Sequence, residues 1–188
     1  MPPGATSFAV LAHPHPLYGG SMRGGLIEEL FRLLPGSGIG ALRFNFRGVG
    51  RSSGTHDKGI AEQNDVAAAL EAALDMAGGS LPVFLCGWSF GSDVLMCVGD
   101  ARHAGWVFVA PPLRITDPSN WAASTDSRPK LLAVPEHDQY RPPEAARPIV
   151  AEWPNTTVSV IPGADHFLFG HEAVVAEMVV NFANRLSA

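Results

Sequence analysis

The chain has 188 residues, a formal charge of −5, and 46% hydrophobic against 16% charged residues. That length points to one domain spanning residues 1–188, with enough apolar material for a substantial core. An acidic balance with no basic run excludes an electrostatic grip on nucleic acid. The opening "MPPGATSFAVLAHP" has neither the basic nor the long apolar region of an export signal, so a cytoplasmic protein without a membrane partner is expected.

Ser7 to Ala12 ("SFAVLA") reads as the first strand. Gly20 to Leu34 follows as a helix, with Leu26, Ile27, Leu30, Phe31, Leu33 and Leu34 at helical spacing, and Pro35-Gly36 ends it. Ile39 to Phe46 ("IGALRFNF") is the second strand. The glycine-punctuated "RGVGRSSG" of Arg47 to Gly54 comes next. It lacks both G-x-x-x-x-G-K-[ST] and G-x-G-x-x-G, so it is not read as a phosphate loop. Ile60 to Met76 is an alanine-rich helix stopped by Gly78-Gly79.

Pro82 to Cys86 ("PVFLC") is a strand, with Phe90 to Val98 as the helix behind it. Gly105 to Ala110 ("GWVFVA") is the fourth strand. The polar connection from Arg114 to Arg128 is long, and Trp121 is the residue expected to anchor it. Lys130 to Val134 is the fifth strand, Pro143 to Glu152 a helix, Thr156 to Ile161 the sixth strand, and Glu172 to Leu186 the last helix. About six strands alternating with helices imply an α/β fold with a parallel sheet covered on both faces. The two cysteines, Cys86 and Cys97, lie in apolar surroundings without metal-type spacing, so buried free thiols are expected.

Gly87-Trp88-Ser89-Phe90-Gly91 spells G-x-S-x-G directly between a strand and a helix. That context marks a nucleophile elbow. A strained turn with φ > 0 presents the Ser89 hydroxyl at the sheet edge, and glycines two residues away on each side relieve the crowding. A serine hydroxyl needs a base and a group that orients the base, and in elbow-type enzymes these follow in the order acid, then histidine. "VPEHDQYRPP" follows the fifth strand and offers Asp138. "IPGADHFLFG" follows the sixth and offers His166. Glu136 and Asp165 are rival carboxylates, and His137 and His171 are rival bases. Asp165 adjoins His166, and adjacent side chains diverge. His137 has the same handicap beside the acid.

The loop after the first strand, "LAHPHPLYGGSM", carries His13 and His15. H-x-H can place two metal ligands together, which would make a metal-dependent hydrolase. No H-x-H-x-D or H-E-x-x-H pattern supports it, and no metal or organic cofactor is expected. A buried imidazole bonded to loop backbone is the favoured reading of His13. This loop can also supply one of two N–H donors to an oxyanion, the other coming from Phe90. Pro14 and Pro16 have no N–H, which leaves His15 and Leu17. Ser21 is a candidate cap for the helix that follows.

The chain resembles the α/β-hydrolase superfamily, and within it the small, lidless bacterial branch of serine hydrolases. The motifs that carry the resemblance are "HPHPLYGGSM", "LRFNFRGVGRSSG", "GWSFG", "APP", "PEHDQYRPP" and "GADHF", in the family's order. The resemblance implies a minimal α/β-hydrolase fold and a triad of Ser89, Asp138 and His166. It implies an oxyanion hole formed by the Phe90 and His15 backbone N–H groups, and a small-molecule ester or thioester substrate. It makes "RGVGRSSG" a structural loop bordering the site. Two departures stand out. The strands that usually precede the first loop are missing, so residues 39–46 become a sheet edge, which invites pairing with a second copy as a homodimer. Only Leu113 to Lys130 separates the fourth and fifth strands, too little for a cap domain. On position alone, Leu17, Tyr18, Trp88, Leu113 and Phe167 are candidate pocket walls. A binding module of the same fold with little turnover is the alternative of a different class.

Overall fold

Strands covered by helices on both faces must be apolar throughout, and the apolar runs of this chain become six parallel strands in the computed structural model, which describes residues 1–186. They are β1 (Ser7–Ala12), β2 (Ile39–Arg43), β3 (Val83–Trp88), β4 (Trp106–Val109), β5 (Lys130–Pro135) and β6 (Thr156–Ile161). The order across the sheet is β2-β1-β3-β4-β5-β6. The helices are α1 (Gly25–Leu33), α2 (Glu62–Ala77), α3 (Phe90–Met96), α4 (Pro143–Val150) and α5 (Glu172–Leu186). No helix among the described residues is long and apolar enough to cross a membrane.

The pleat sorts the core into two halves. Phe8, Val10, Ala12, Val83 and Leu85 face α2, α3 and α4, which contribute Val66, Leu70, Val94, Leu95, Ala146 and Val150. Ala9, Leu11, Phe84, Cys86 and Trp88 face α1 and α5, which contribute Leu26, Ile27, Leu30, Val175, Val179 and Phe182. From β1 the chain moves outward to β2, then returns past β1 to β3 and proceeds the other way. The crevice beyond the carboxyl ends of β1 and β3 is therefore a topological switch point, where open α/β sheets place their sites.

Several boundaries differ from the sequence reading. The helix expected from Gly20 begins at Gly25. Residues 16–18 form a single 3-10 turn, and Ser21 accepts the Arg23 N–H at 3.3 Å within a local turn instead of capping the helix. Gly25 has φ +51, and a Cβ there would sit 2.9 Å from Trp88 Cζ3, so this corner is reserved for glycine. The second strand ends at Arg43, not Phe46. Phe46 turns inward and is fully buried, and its N–H donates to His13 Nε2 at 3.0 Å. The resulting edge strand is short, and its last residue, Arg43, is ion-paired with Glu28 and lies over the Phe31 ring.

The connection from β4 to β5 contains only two 3-10 turns and no cap. Trp121 anchors it, donating from Nε1 to Thr116 Oγ1 at 2.8 Å and packing edge-on against Trp153. The "RGVGRSSG" loop is pinned to α2, because the Arg47 backbone and guanidinium both bond Asp65 at 2.8–3.1 Å. Both thiols are free. Cys86 is buried, and Cys97, at the C-terminal cap of α3, is only partly so.

His13 and His103 are buried, and that burial lowers each imidazole from the usual 6.5 to about 4. The folded protein keeps both rings neutral while the unfolded chain protonates them. Their contribution is fully present above pH 6.5 and drains away as pH falls toward 4. The loss is on the order of 3 kcal/mol for each ring. Urea midpoints measured from pH 7.5 down to 4.5 are expected to drop through this window, and to drop less steeply in His103→Phe. A flat profile would contradict the assignment.

Candidate active site

A sharp turn joins β3 to α3, and Ser89 occupies it with φ 54 and ψ −117. Such a conformation is costly for a residue with a Cβ and persists only where the surroundings enforce it. The enforcement is steric. A Cβ on Gly87 would lie 2.6 Å from the Gly91 carbonyl carbon, and one on Gly91 would lie 2.4 Å from the Ala12 carbonyl oxygen. The helix start therefore rests directly on the end of β1. Ser92 tightens the turn by donating to the Gly87 and Val109 carbonyls at 2.7 and 3.1 Å.

The loops after β5 and β6 arrive beside this serine. His166 Nε2 lies 2.8 Å from Ser89 Oγ, and His166 Nδ1 lies 2.8 Å from Asp138 Oδ2. The carboxylate can only accept, so Nδ1 carries the proton and Nε2 of the neutral ring faces the hydroxyl. The backbone of His166 is held on both sides of the ring. Its N–H donates to Gln139 Oε1 at 3.1 Å, and its carbonyl accepts from Trp88 Nε1 at 3.2 Å. Asp138 is 3% exposed. Its Oδ1 collects the Tyr140 and Arg141 N–H groups at 2.8 and 2.9 Å, leaving Oδ2 for the imidazole.

The rival residues have other partners. Glu136 accepts the Gly163 N–H at 2.8 Å, and Asp165 accepts the Phe167 and Leu168 N–H groups. His137 is exposed beside Glu136, and His171 bonds the Phe169 carbonyl. In the first loop, His13 is buried as expected, donating from Nδ1 to the Pro14 carbonyl while Nε2 accepts from Phe46. Both of its nitrogens are thus occupied by backbone, which removes the H-x-H pair as a metal chelate. His15 Nδ1 accepts the Leu17 N–H, and its ring packs against Tyr18, His56 and Phe90. Gly20 lets the loop fold onto itself, since a Cβ there would sit 2.1 Å from the Pro14 carbonyl oxygen. The N–H groups of His15 and Phe90 donate to no group among the described residues.

A cavity of about 620 Å³ opens over Ser89. Of the five wall residues expected from position, Tyr18, Trp88 and Phe167 line it, whereas Leu17 and Leu113 do not. Leu17 lies in the 3-10 turn and points to solvent, 69% exposed. Leu113 has φ 55 and is buried, its N–H donating to the Asp93 carboxylate at 3.0 Å. Sequence reasoning missed Pro112, Arg114, Ile115, Tyr140 and Phe169, which also line it. It also missed Asp93, a buried carboxylate on α3 that collects the N–H groups of Leu113, Arg114 and Ile115 at 2.8–3.0 Å. Burial pushes its pKa above the usual carboxylate range. Tyr140 alone had a signal, since it sits two residues after Asp138 and the turn around that carboxylate brings its ring 4.4 Å from the His166 ring.

Residues 16–128 match the family described as serine aminopeptidase, S33. An α/β serine hydrolase homologue from Coxiella burnetii is 30% identical, with 96% of this chain and 88% of that chain covered and a TM-score of 0.81. A lidless α/β serine hydrolase from Xanthomonas campestris is 26% identical, with 98% and 85% covered and a TM-score of 0.84. An uncharacterised protein of Rickettsia prowazekii (strain Madrid E) is 38% identical over 88 residues. That match takes in 47% of this chain and 37% of the Rickettsia protein.

The elbow's dependence on bare backbone can be tested with two alanines. Gly91→Ala drives a methyl into the Ala12 carbonyl and is expected to destabilise by about 2–3 kcal/mol. Gly36→Ala meets nothing within 4 Å and should leave the urea midpoint close to wild type. Equal midpoints for the two variants would refute the steric account.

Proposed function

The chain belongs to the serine aminopeptidase S33 family, within the lidless branch of the α/β-hydrolase superfamily, and we propose that it is a serine hydrolase cleaving carboxylic esters or thioesters through Ser89, His166 and Asp138. The observation that carries this reading is the unbroken relay of two 2.8 Å contacts from Asp138 to His166 to Ser89.

In the proposed reaction, Ser89 Oγ attacks the substrate carbonyl as His166 Nε2 takes its proton. The Asp138 carboxylate holds the ring and offsets the charge of the imidazolium. The tetrahedral oxyanion is received by the His15 and Phe90 N–H groups, which have no other acceptor among the described residues. His166 returns the proton to the leaving alcohol or thiol, and water then repeats the sequence on the acyl-enzyme. Esters fit the cavity better than peptides with a free amino terminus. An aminopeptidase site needs a carboxylate to meet the substrate ammonium, and no Asp or Glu lines this cavity among the described residues.

Labelling with a fluorophosphonate probe is expected to be stoichiometric in the native protein and absent in Ser89→Ala. A folded protein that takes no label would overturn the reading. The backbone role of His15 has its own test, because its φ of −55 suits a proline ring. His15→Ala keeps the N–H and should retain most activity on a p-nitrophenyl ester. His15→Pro replaces the N–H by a ring Cδ, removing the donor and adding bulk where the oxyanion would sit, and should lower kcat a further hundredfold or more. Equal rates in the two variants would move the donor elsewhere.

A further inference from the structure

The cavity over Ser89 is walled mainly by apolar and aromatic groups, with Tyr18, Trp88, Tyr140, Phe167 and Phe169 around the serine. Phe167 and Phe169 lie nearly parallel, with an interplanar angle of 17°. One permanently charged side chain, Arg114, shares this wall. We propose that the substrates of this site are esters with an apolar, ring-sized body that also carry an ionised carboxylate or similar anion, recognised by Arg114. The inference rests on the serine hydrolase reading and adds the substrate class.

Arg114 is poorly explained as a structural residue. It forms no ion pair and no side-chain hydrogen bond among the described residues, unlike Arg32, Arg43, Arg47, Arg102 and Arg128, and of the arginines without a carboxylate partner it is the one that lines the cavity over Ser89. Its guanidinium is exposed and lies 5.5 Å from the centroid of the Tyr140 ring. That ring in turn sits 4.4 Å from the ring of His166. A single tyrosine therefore separates the cation from the base, a spacing that a substrate with an ester at one end and an anion at the other can bridge.

The position is also built. The Asp93 carboxylate fixes the N–H groups of residues 113, 114 and 115, so the backbone that carries Arg114 is held from beneath while its guanidinium lies by the Tyr140 ring with its N–H donors unpaired among the described residues. The Asp138 carboxylate, the other buried acid nearby, is already engaged by His166 and two backbone donors. The chain carries a net charge of −5, so a guanidinium without a carboxylate partner at the cavity is a local attraction for anions against a net repulsion. Planar guanidinium groups suit carboxylates in particular, through paired N–H donors.

The test uses paired esters matched in size, one member ionised and the other a neutral amide, and reads the change in their ratio between wild type and variant. Ethyl 4-carboxybenzoate and ethyl 4-carbamoylbenzoate place the group on the acyl side. 4-Carboxyphenyl butyrate and 4-carbamoylphenyl butyrate place it on the alcohol side. In at least one pair, wild-type kcat/KM is expected to favour the ionised member about tenfold. The preference should collapse toward one in Arg114→Gln, persist in part in Arg114→Lys, and shrink as salt is raised. Taking the ratio within a pair cancels any general loss from the substitution. A wild-type enzyme that cleaves both members equally, or a ratio unchanged in Arg114→Gln, overturns the inference while Ser89 labelling leaves the hydrolase reading standing. Absence of both labelling and turnover overturns the two together.

Discussion

The site depends on one close approach, in which the start of α3 lies against the carbonyls of Ala12 and His13 with nothing but hydrogen at Gly91 between them. This contact brings the end of β1 and the end of β3 to the same point. It holds Ser89 in a conformation that a free chain would avoid, and it seats the His15 loop beside the serine. Any side chain at Gly91 would push the two apart and open the elbow. Strand order supplies the rest, because the reversal between β1 and β3 leaves a crevice that no crossing helix fills.

Around that contact, buried polar groups collect loop N–H groups that no strand or helix can satisfy. His13 holds Phe46, Asp93 holds residues 113–115, Glu62 holds Asp57 and Gly59, and Asp138 holds Tyr140 and Arg141. Asp93 and Asp138 do the same local work with different remainders. Asp93 spends both oxygens on backbone. Asp138 spends one and presents the other to His166. A carboxylate oriented by backbone donors is fixed without any contribution from its own side-chain freedom, which is the condition an orienting acid must meet.

The parts legible in the sequence were those governed by continuous apolar runs and by chain order. β1, β6 and α5 agree with the sequence reading at both ends, and Ser89, Asp138 and His166 meet as the elbow order implied. Failures came where backbone conformation, not composition, decides. Gly20 looked like a helix start, but Gly25 with its positive φ begins the helix five residues later. Leu17 and Leu113 were placed by proximity to motifs, yet a 3-10 turn rotates one outward and a left-handed φ buries the other. The role of Asp93 depends on a loop twenty residues away, a tertiary contact with no trace in local pattern.

With no cap between β4 and β5, the proposed substrate would be met by side chains at the tips of four loops, at Tyr18, Arg114, Tyr140 and Phe167. A lid would select by enclosure and by its own closing motion. Here the backbones at or beside Arg114, Tyr140 and Phe167 are fixed by buried acids and by the Trp88 and Gln139 bonds to His166. Selection then comes from side chains projecting from a rigid frame. Such a frame separates two demands only in part. Tyr18 and Arg114 make no side-chain contact with Ser89, His166 or Asp138, whereas the rings of Tyr140 and Phe167 pack against His166 and tie the relay to the wall. In the proposed reaction the buried anchors hold the relay, and the exposed loop tips meet the substrate.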